Sequence, residues 1–227
     1  MMNNRRSRIV EIVGPAGAGK STLCHTLSQG SETIRLGNFP DVRKISDAPF
    51  FIWNGFQIFP NLFNLLRHND RKPTRREFAY LSILNGWPAV LQKELKINKT
   101  IILDQGPVYL LAELSESGPE FLKRQEAEKM WQDLYSQWAD RLDVIVWLDA
   151  TDTDLIRRIR NRDKEHVVKN ESIETTFEFL ARYRKAYERT ISNLSANHNN
   201  LKILRFDTSQ KSPQEIASQL LIEFDSA

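Results

Sequence analysis

Ile9-Val10-Glu11-Ile12-Val13-Gly14-Pro15-Ala16-Gly17-Ala18-Gly19-Lys20-Ser21-Thr22 is the stretch from which the rest of the chain can be read. Its first five residues are a mostly apolar run of the kind that forms a buried strand, and Gly14 stops it. From Lys20 the pattern changes, with Leu23, Cys24 and Leu27 recurring at helical spacing up to Gln29. Between strand and helix, Gly14 to Ser21 fits G-x-x-x-x-G-K-[ST] at every fixed position. Glycines there let backbone N–H groups converge on phosphate oxygens, and the positive end of the helix dipole adds to the attraction. Gly14, Pro15, Ala16, Gly17, Ala18, Gly19, Lys20, Ser21 and Thr22 are therefore expected to hold a nucleotide triphosphate such as ATP. Lys20 is placed to neutralise β/γ-phosphate charge, and the Ser21 hydroxyl to ligate Mg²⁺.

Outward from this stretch, short apolar runs alternate with helical patterns. Strands are predicted at Thr33–Leu36, Thr100–Leu103, Val144–Leu148 and Lys202–Phe206. Helices are predicted at Glu77–Ile97, Tyr109–Glu116, Pro119–Leu142, Asp154–Arg162, Ser172–Ala196 and Pro213–Phe224, the first kinked or divided at Gly86 and Pro88. Residues 38–74 resist assignment, because Pro49, Gly55 and Pro60 interrupt the aromatics Phe50, Phe51, Trp53, Phe56, Phe59 and Phe63. Near-continuous apolar strands separated by helices predict a three-layer α/β/α fold, with a five-stranded, mostly parallel sheet covered on both faces.

The 227 residues fit this plan as a single domain over 1–227. With 41% hydrophobic and 27% charged residues, the chain is neither disordered nor low-complexity. Cys24 is the one cysteine, which excludes an intramolecular disulfide framework and a thiolate zinc cage. No apolar stretch is long enough to span a bilayer, and the run after the basic N-terminus is too short for a signal-peptide core. A cytoplasmic location is the expectation. The charge of +3 is a small excess of interspersed basic residues, so nucleic acid is not an expected partner. His25, His68, His166 and His198 show no metal-ligand spacing.

Three further features separate this chain from hydrolytic switches and motors. Asp104 ends the third strand but is followed by Gln105, where water-activating ATPases place Glu; Asn98-Lys99-Thr100-Ile101 lacks the Asp of a guanine signature; and an arginine-rich segment follows the fourth strand. On the phosphate loop, the Asp104 strand end, the Val144–Asp149 strand, Arg157–Arg162 and the Asp207–Pro213 turn, the chain resembles the P-loop nucleoside and nucleotide kinases, thymidylate and deoxynucleoside kinases in particular. The resemblance implies phosphoryl transfer from ATP with Mg²⁺ to a small-molecule acceptor. It places Asp104 near the acceptor oxygen and the magnesium shell, although Gln105 replaces the usual Arg. It makes residues 152–170 an Arg-rich lid, with Arg158 and Arg162, one helical turn apart, as the residues expected to neutralise the transferring phosphoryl group.

The same resemblance puts the acceptor-binding region at about residues 39–95. Asp41, Arg43, Trp53, Arg75, Arg76, Tyr80 and Trp87 could supply charge or stacking there. Core packing is the expected role for most of Phe50 to Phe63, with an exposed cluster that docks a lipid-linked or bulky acceptor as the alternative. A nucleotide-binding ATPase or regulator without a dedicated acceptor is the second functional reading, and the pattern allows a homodimer.

Overall fold

A computed structural model describes residues 7–66, 71–163, 165–197 and 200–226. Five strands, β1 (Arg8–Val13), β2 (Ile34–Leu36), β3 (Thr100–Asp104), β4 (Val144–Asp149) and β5 (Lys202–Asp207), form one sheet in the order β2-β3-β1-β4-β5. Every pairing is parallel, with Ile12 opposite Asp104 and Asp149 opposite Asp207. The helices are α1 (Lys20–Gln29), α2 (Ala48–Leu66), α3 (Arg75–Glu94), α4 (Pro107–Ser117), α5 (Glu128–Ala139), α6 (Asp152–Asn161), α7 (Ile173–Asn197) and α8 (Pro213–Ser226).

Strand alternation separates two cores. Ile9, Val13, Ile101, Leu103, Ile145 and Trp147 pack against α3, α4, α5 and α7. Val10, Ile12, Ile102, Val144, Val146 and Leu148 pack against α1, α6 and α8 on the other face. The three-layer α/β/α expectation holds, and the sheet is wholly rather than mostly parallel. Glu11 is fully buried on the face of Ile9 and Val13. Among the described residues, no helix is long and apolar enough to cross a membrane.

Two of the predicted helices need correction. Gly86 and Pro88 do not divide the predicted 77–97 helix, because α3 is continuous over Arg75–Glu94. Proline lacks the N–H that would bond the carbonyl four residues earlier. Here the Leu84 carbonyl accepts instead from Trp138 Nε1 (2.9 Å) and Gln137 Nε2 (3.3 Å) of α5, and Gln137 also reaches the Asn85 carbonyl. The predicted 119–142 helix is broken. Two 3₁₀ turns, Glu120–Lys123 and Gln125–Ala127, meet at Arg124, whose backbone is extended, and α5 begins only at Glu128. Burial of Phe121 and Leu122, with Trp131 Nε1 donating to the Leu122 carbonyl (2.6 Å), fixes that break.

Within the unassigned stretch, Ala48–Leu66 forms α2. Pro49 sits in its first turn, where no helical N–H bond is lost. Gly55 and Gly86 are points of close approach between α2 and α3: a Cβ would lie 2.8 Å from the Phe78 ring at the first and 2.2 Å from the Asn54 side chain at the second. Phe50, Phe51 and Ile58 pack toward the core, but Ile52, Trp53, Phe56 and Phe59 are exposed. The expectation of core packing is thus met by only part of the aromatic cluster. The Phe63 side chain, and His68 and His198 altogether, lie outside the described residues.

Candidate active site

The loop between β1 and α1 is shaped by its glycines. Gly17 and Gly19 have φ of 84° and 87°, and a Cβ at Gly14 would lie 2.0 Å from the Leu148 carbonyl. Gly19 caps α1 with no side-chain hydrogen bond, and the first turn of α1 carries no acidic residue. Its N–H groups thus keep their positive end toward the space above the loop, where nothing lies within 4 Å of a Cβ built on Gly19. The Lys20 ammonium folds back onto the Gly14 (2.8 Å) and Pro15 (2.9 Å) carbonyls. Burial lowers its pKa to about 8, opposed by the nearby Asp104. An uncapped helix start beside a confined cation fits a phosphate group.

This loop forms one end of a cleft of about 1040 Å³. Asp104, at the carboxyl end of β3, lines it with Lys20 and Ser21. Among the described residues, no cluster of three or more His, Cys, Asp or Glu side chains could hold a metal. A divalent ion here would take its oxygens from Ser21, Asp104, phosphate and water, the mixed set that suits Mg²⁺.

Sequence reasoning passed over Glu11. Its carboxylate accepts from the N–H groups of Val108 (2.8 Å, at Oε2) and Tyr109 (3.0 Å, at Oε1), so a side chain from the middle of β1 caps α4. Burial raises its pKa to about 8 against the lowering effect of those bonds. A Cβ on Gly106 would lie 2.6 Å from this carboxyl carbon, so glycine is required where the chain passes it. The neighbouring Gln105 holds φ of 69°, an uncommon conformation for a residue with a side chain. The signal was present in the sequence: one acid inside an otherwise apolar strand.

The arginine-rich segment divides. Arg158 on α6 donates to the Thr208 carbonyl (2.8 Å) and hydroxyl (2.9 Å) and to the Gly17 carbonyl (3.3 Å), joining the phosphate loop to the turn after β5. Arg162 lies just beyond α6 with extended backbone (φ −82°, ψ 147°), so the one-turn spacing expected of the pair is not helical. Both line the cleft. Arg157 pairs with Asp154, and Arg160 reaches the Glu171 carbonyl. Arg184 of α7, also passed over, bonds both carboxylate oxygens of Asp149 at 2.9 Å and fixes the end of β4. In the turn after β5, Thr208 and Lys211 reach the cleft, while Ser212 caps α8 reciprocally with Glu215.

At the far end of the cleft, Arg76 from the first turn of α3 donates to Tyr80 (2.7 Å), Tyr109 (3.3 Å) and Glu113 (3.1 Å). Glu113 accepts from Tyr183 on its other oxygen (2.7 Å). Burial raises the Tyr183 phenol to about 12. Of the acceptor-side candidates, Arg76 lines the cleft and Tyr80 supports it; Asp41, Arg43, Trp53 and Arg75 do not line it. Trp87 is core, with its indole N–H on the Asn38 carbonyl. Cys24 is buried, as expected of a small apolar residue.

A family model described as an AAA domain matches residues 9–190, from β1 into α7. No curated protein matches the chain by sequence. Among solved structures, a thymidylate kinase from Candida albicans is similar at 15% identity and TM-score 0.57, over 97% of this chain and 92% of that one. A deoxyadenosine kinase from M. mycoides, bound to dCMP and dCDP, matches at 16% identity and TM-score 0.53, over 96% and 100%. At such identities the likeness establishes a shared P-loop kinase fold.

Proposed function

We propose that this chain, which belongs to the AAA domain family, is an ATP- and Mg²⁺-dependent phosphotransferase acting in the cytoplasm on a small-molecule hydroxyl or phosphate. The observation that carries the reading is the continuity of one cleft from the Lys20 loop, past Asp104, to the Arg76–Glu113 group. A regulator that only binds nucleotide has no need of that second, polar end. The loop from Gly14 to Thr22 holds the donor phosphates. Lys20 exchanges its two backbone carbonyls for phosphate oxygens. Ser21 and Asp104 would hold Mg²⁺, which would supply neutralisation of phosphate charge during transfer. Asp104 orients the acceptor oxygen or takes its proton. Arg162 supplies charge at the transferring group, and Arg158 positions the loop on which that group rests. Residues 1–227 act as one domain, with the acceptor region at about 39–95 and the Arg-rich lid segment at about 152–170, of which α6 is the fixed base.

The test is transfer of labelled γ-phosphate from ATP to a panel of nucleosides, nucleoside monophosphates, sugars and lipid alcohols. A labelled product should form, and Lys20→Ala and Asp104→Asn should each lower its rate by at least about a hundredfold. ATP binding with no product from any acceptor would overturn the reading in favour of a nucleotide-binding regulator.

A further inference from the structure

Twelve large hydrophobic side chains are conspicuously exposed among the described residues, and six of them fall between Val42 and Phe59. On α2, Ile52 is 61% exposed, Trp53 67% and Phe56 75%, and Ile45, just before the helix, is 91% exposed. At about 100° per residue, Ile52, Trp53 and Phe56 fall within one stripe roughly 100° wide. The opposite side of α2, with Phe50, Phe51 and Ile58, is committed to the core, and Asn54 and Gly55 meet α3. The exposure therefore belongs to a fixed face of an anchored helix.

Charge frames that face. Ala48 to Leu66 contains no Asp, Glu, Lys or Arg. Arg43 and Lys44 are exposed before the helix, and Lys72 and Arg75 beyond it. Among the described residues, the acids nearby are turned to their own segments: Asp47 accepts the Asp41 N–H (2.9 Å), Asp41 accepts the Arg43 N–H (2.9 Å), and Glu77 takes Arg71 and the Thr74 N–H. An uncharged aromatic face between cationic flanks is the pattern that binds in a membrane interface, with apolar side chains among acyl chains and basic ones at anionic headgroups. A second copy of the chain would bring the same face and the same cationic flanks, and so would leave the charges unanswered.

We propose that the Ile52–Trp53–Phe56 face of α2, with Ile45 beside it, docks this protein on an anionic lipid bilayer. The docking is independent of the phosphotransfer reading. The full chain should float with vesicles of phosphatidylcholine and phosphatidylglycerol in equal amounts, less so as salt is raised, and brominated lipid should quench Trp53 fluorescence. The double variant Trp53→Ser/Phe56→Ser should bind those vesicles at least about tenfold more weakly, given the apolar area withdrawn. Lys72→Gln/Arg75→Gln should weaken binding by about twenty-five-fold, from roughly a factor of five per basic residue. Lys20→Ala should remove phosphoryl transfer and leave flotation intact. Failure of the chain to float with anionic vesicles at low salt would overturn the proposal, as would unchanged binding by Trp53→Ser/Phe56→Ser. A dimer dissolved by those substitutions, with no flotation, would assign the face to a second copy. If Trp53→Ser/Phe56→Ser does not fold, the charge variant and the quenching of Trp53 decide the matter.

Discussion

Glu11 and the outer face of α2 are opposite departures from the rule that apolar side chains go inside. A glutamate side chain sits at zero exposure in the central strand, while Ile52, Trp53 and Phe56 stand largely in solvent. The difference lies in what each region still requires. Glu11 is satisfied within the fold, because the start of α4 supplies N–H groups that would otherwise be orphaned in the core. The α2 face carries no such internal debt, and its exposure is answered by something outside the chain. A misplaced polar group therefore marks internal architecture here, and misplaced apolar groups mark an external surface.

Stability measurements can break this comparison. The largest effect is expected from Glu11→Leu, which leaves the Val108 and Tyr109 N–H groups buried without an acceptor. At about 2 kcal/mol for each, the loss should be roughly 4 kcal/mol in urea unfolding near pH 7. The second is a pH dependence. Between pH 4.5, where the unfolded chain releases the Glu11 proton, and about 8, where the folded chain does, unfolding is accompanied by proton release. Stability should therefore fall as pH rises across that window, and Glu11→Gln should remove this component; a slope unchanged in the variant would assign it to other groups. Gln105→Gly should relieve the positive φ next to the cap and stabilise the fold by about 1 kcal/mol. The smallest effect belongs to the other region: Phe56→Ser should shift stability by less than about 0.5 kcal/mol. A loss of several kcal/mol there would mean that the α2 face is internal structure after all.

The same contrast explains what could be read from the sequence. The phosphate loop was fully legible, because fixed spacing, a preceding strand and a following helix are all local. The central strands were legible as apolar runs, which fixed the three-layer plan. α2 was not, because Pro49 and Gly55 are read as breakers until their surroundings are known: the first lies in a helical turn that needs no N–H, and the second is where Phe78 comes close. Pro88 misled for a related reason, since the Leu84 carbonyl that it leaves unbonded is taken up by Trp138 and Gln137, about fifty residues away in sequence. Arg158 and Arg162 both line the cleft, but the helical turn expected to pair them is absent, because α6 ends before the second. The far end of the cleft, where Arg76 meets Glu113 and Tyr183, draws on α3, α4 and α7, and no single stretch of sequence announces it.

Arg158 has a mechanical consequence. Its guanidinium ties α6 to the phosphate loop and to Thr208, whose hydroxyl in turn donates to the Asp149 carbonyl. Swinging α6 as a rigid flap would break the three Arg158 hydrogen bonds at once. The helix therefore belongs to the frame of the cleft, and the proposed lid, to close over a nucleotide, would have to pivot beyond Asn161.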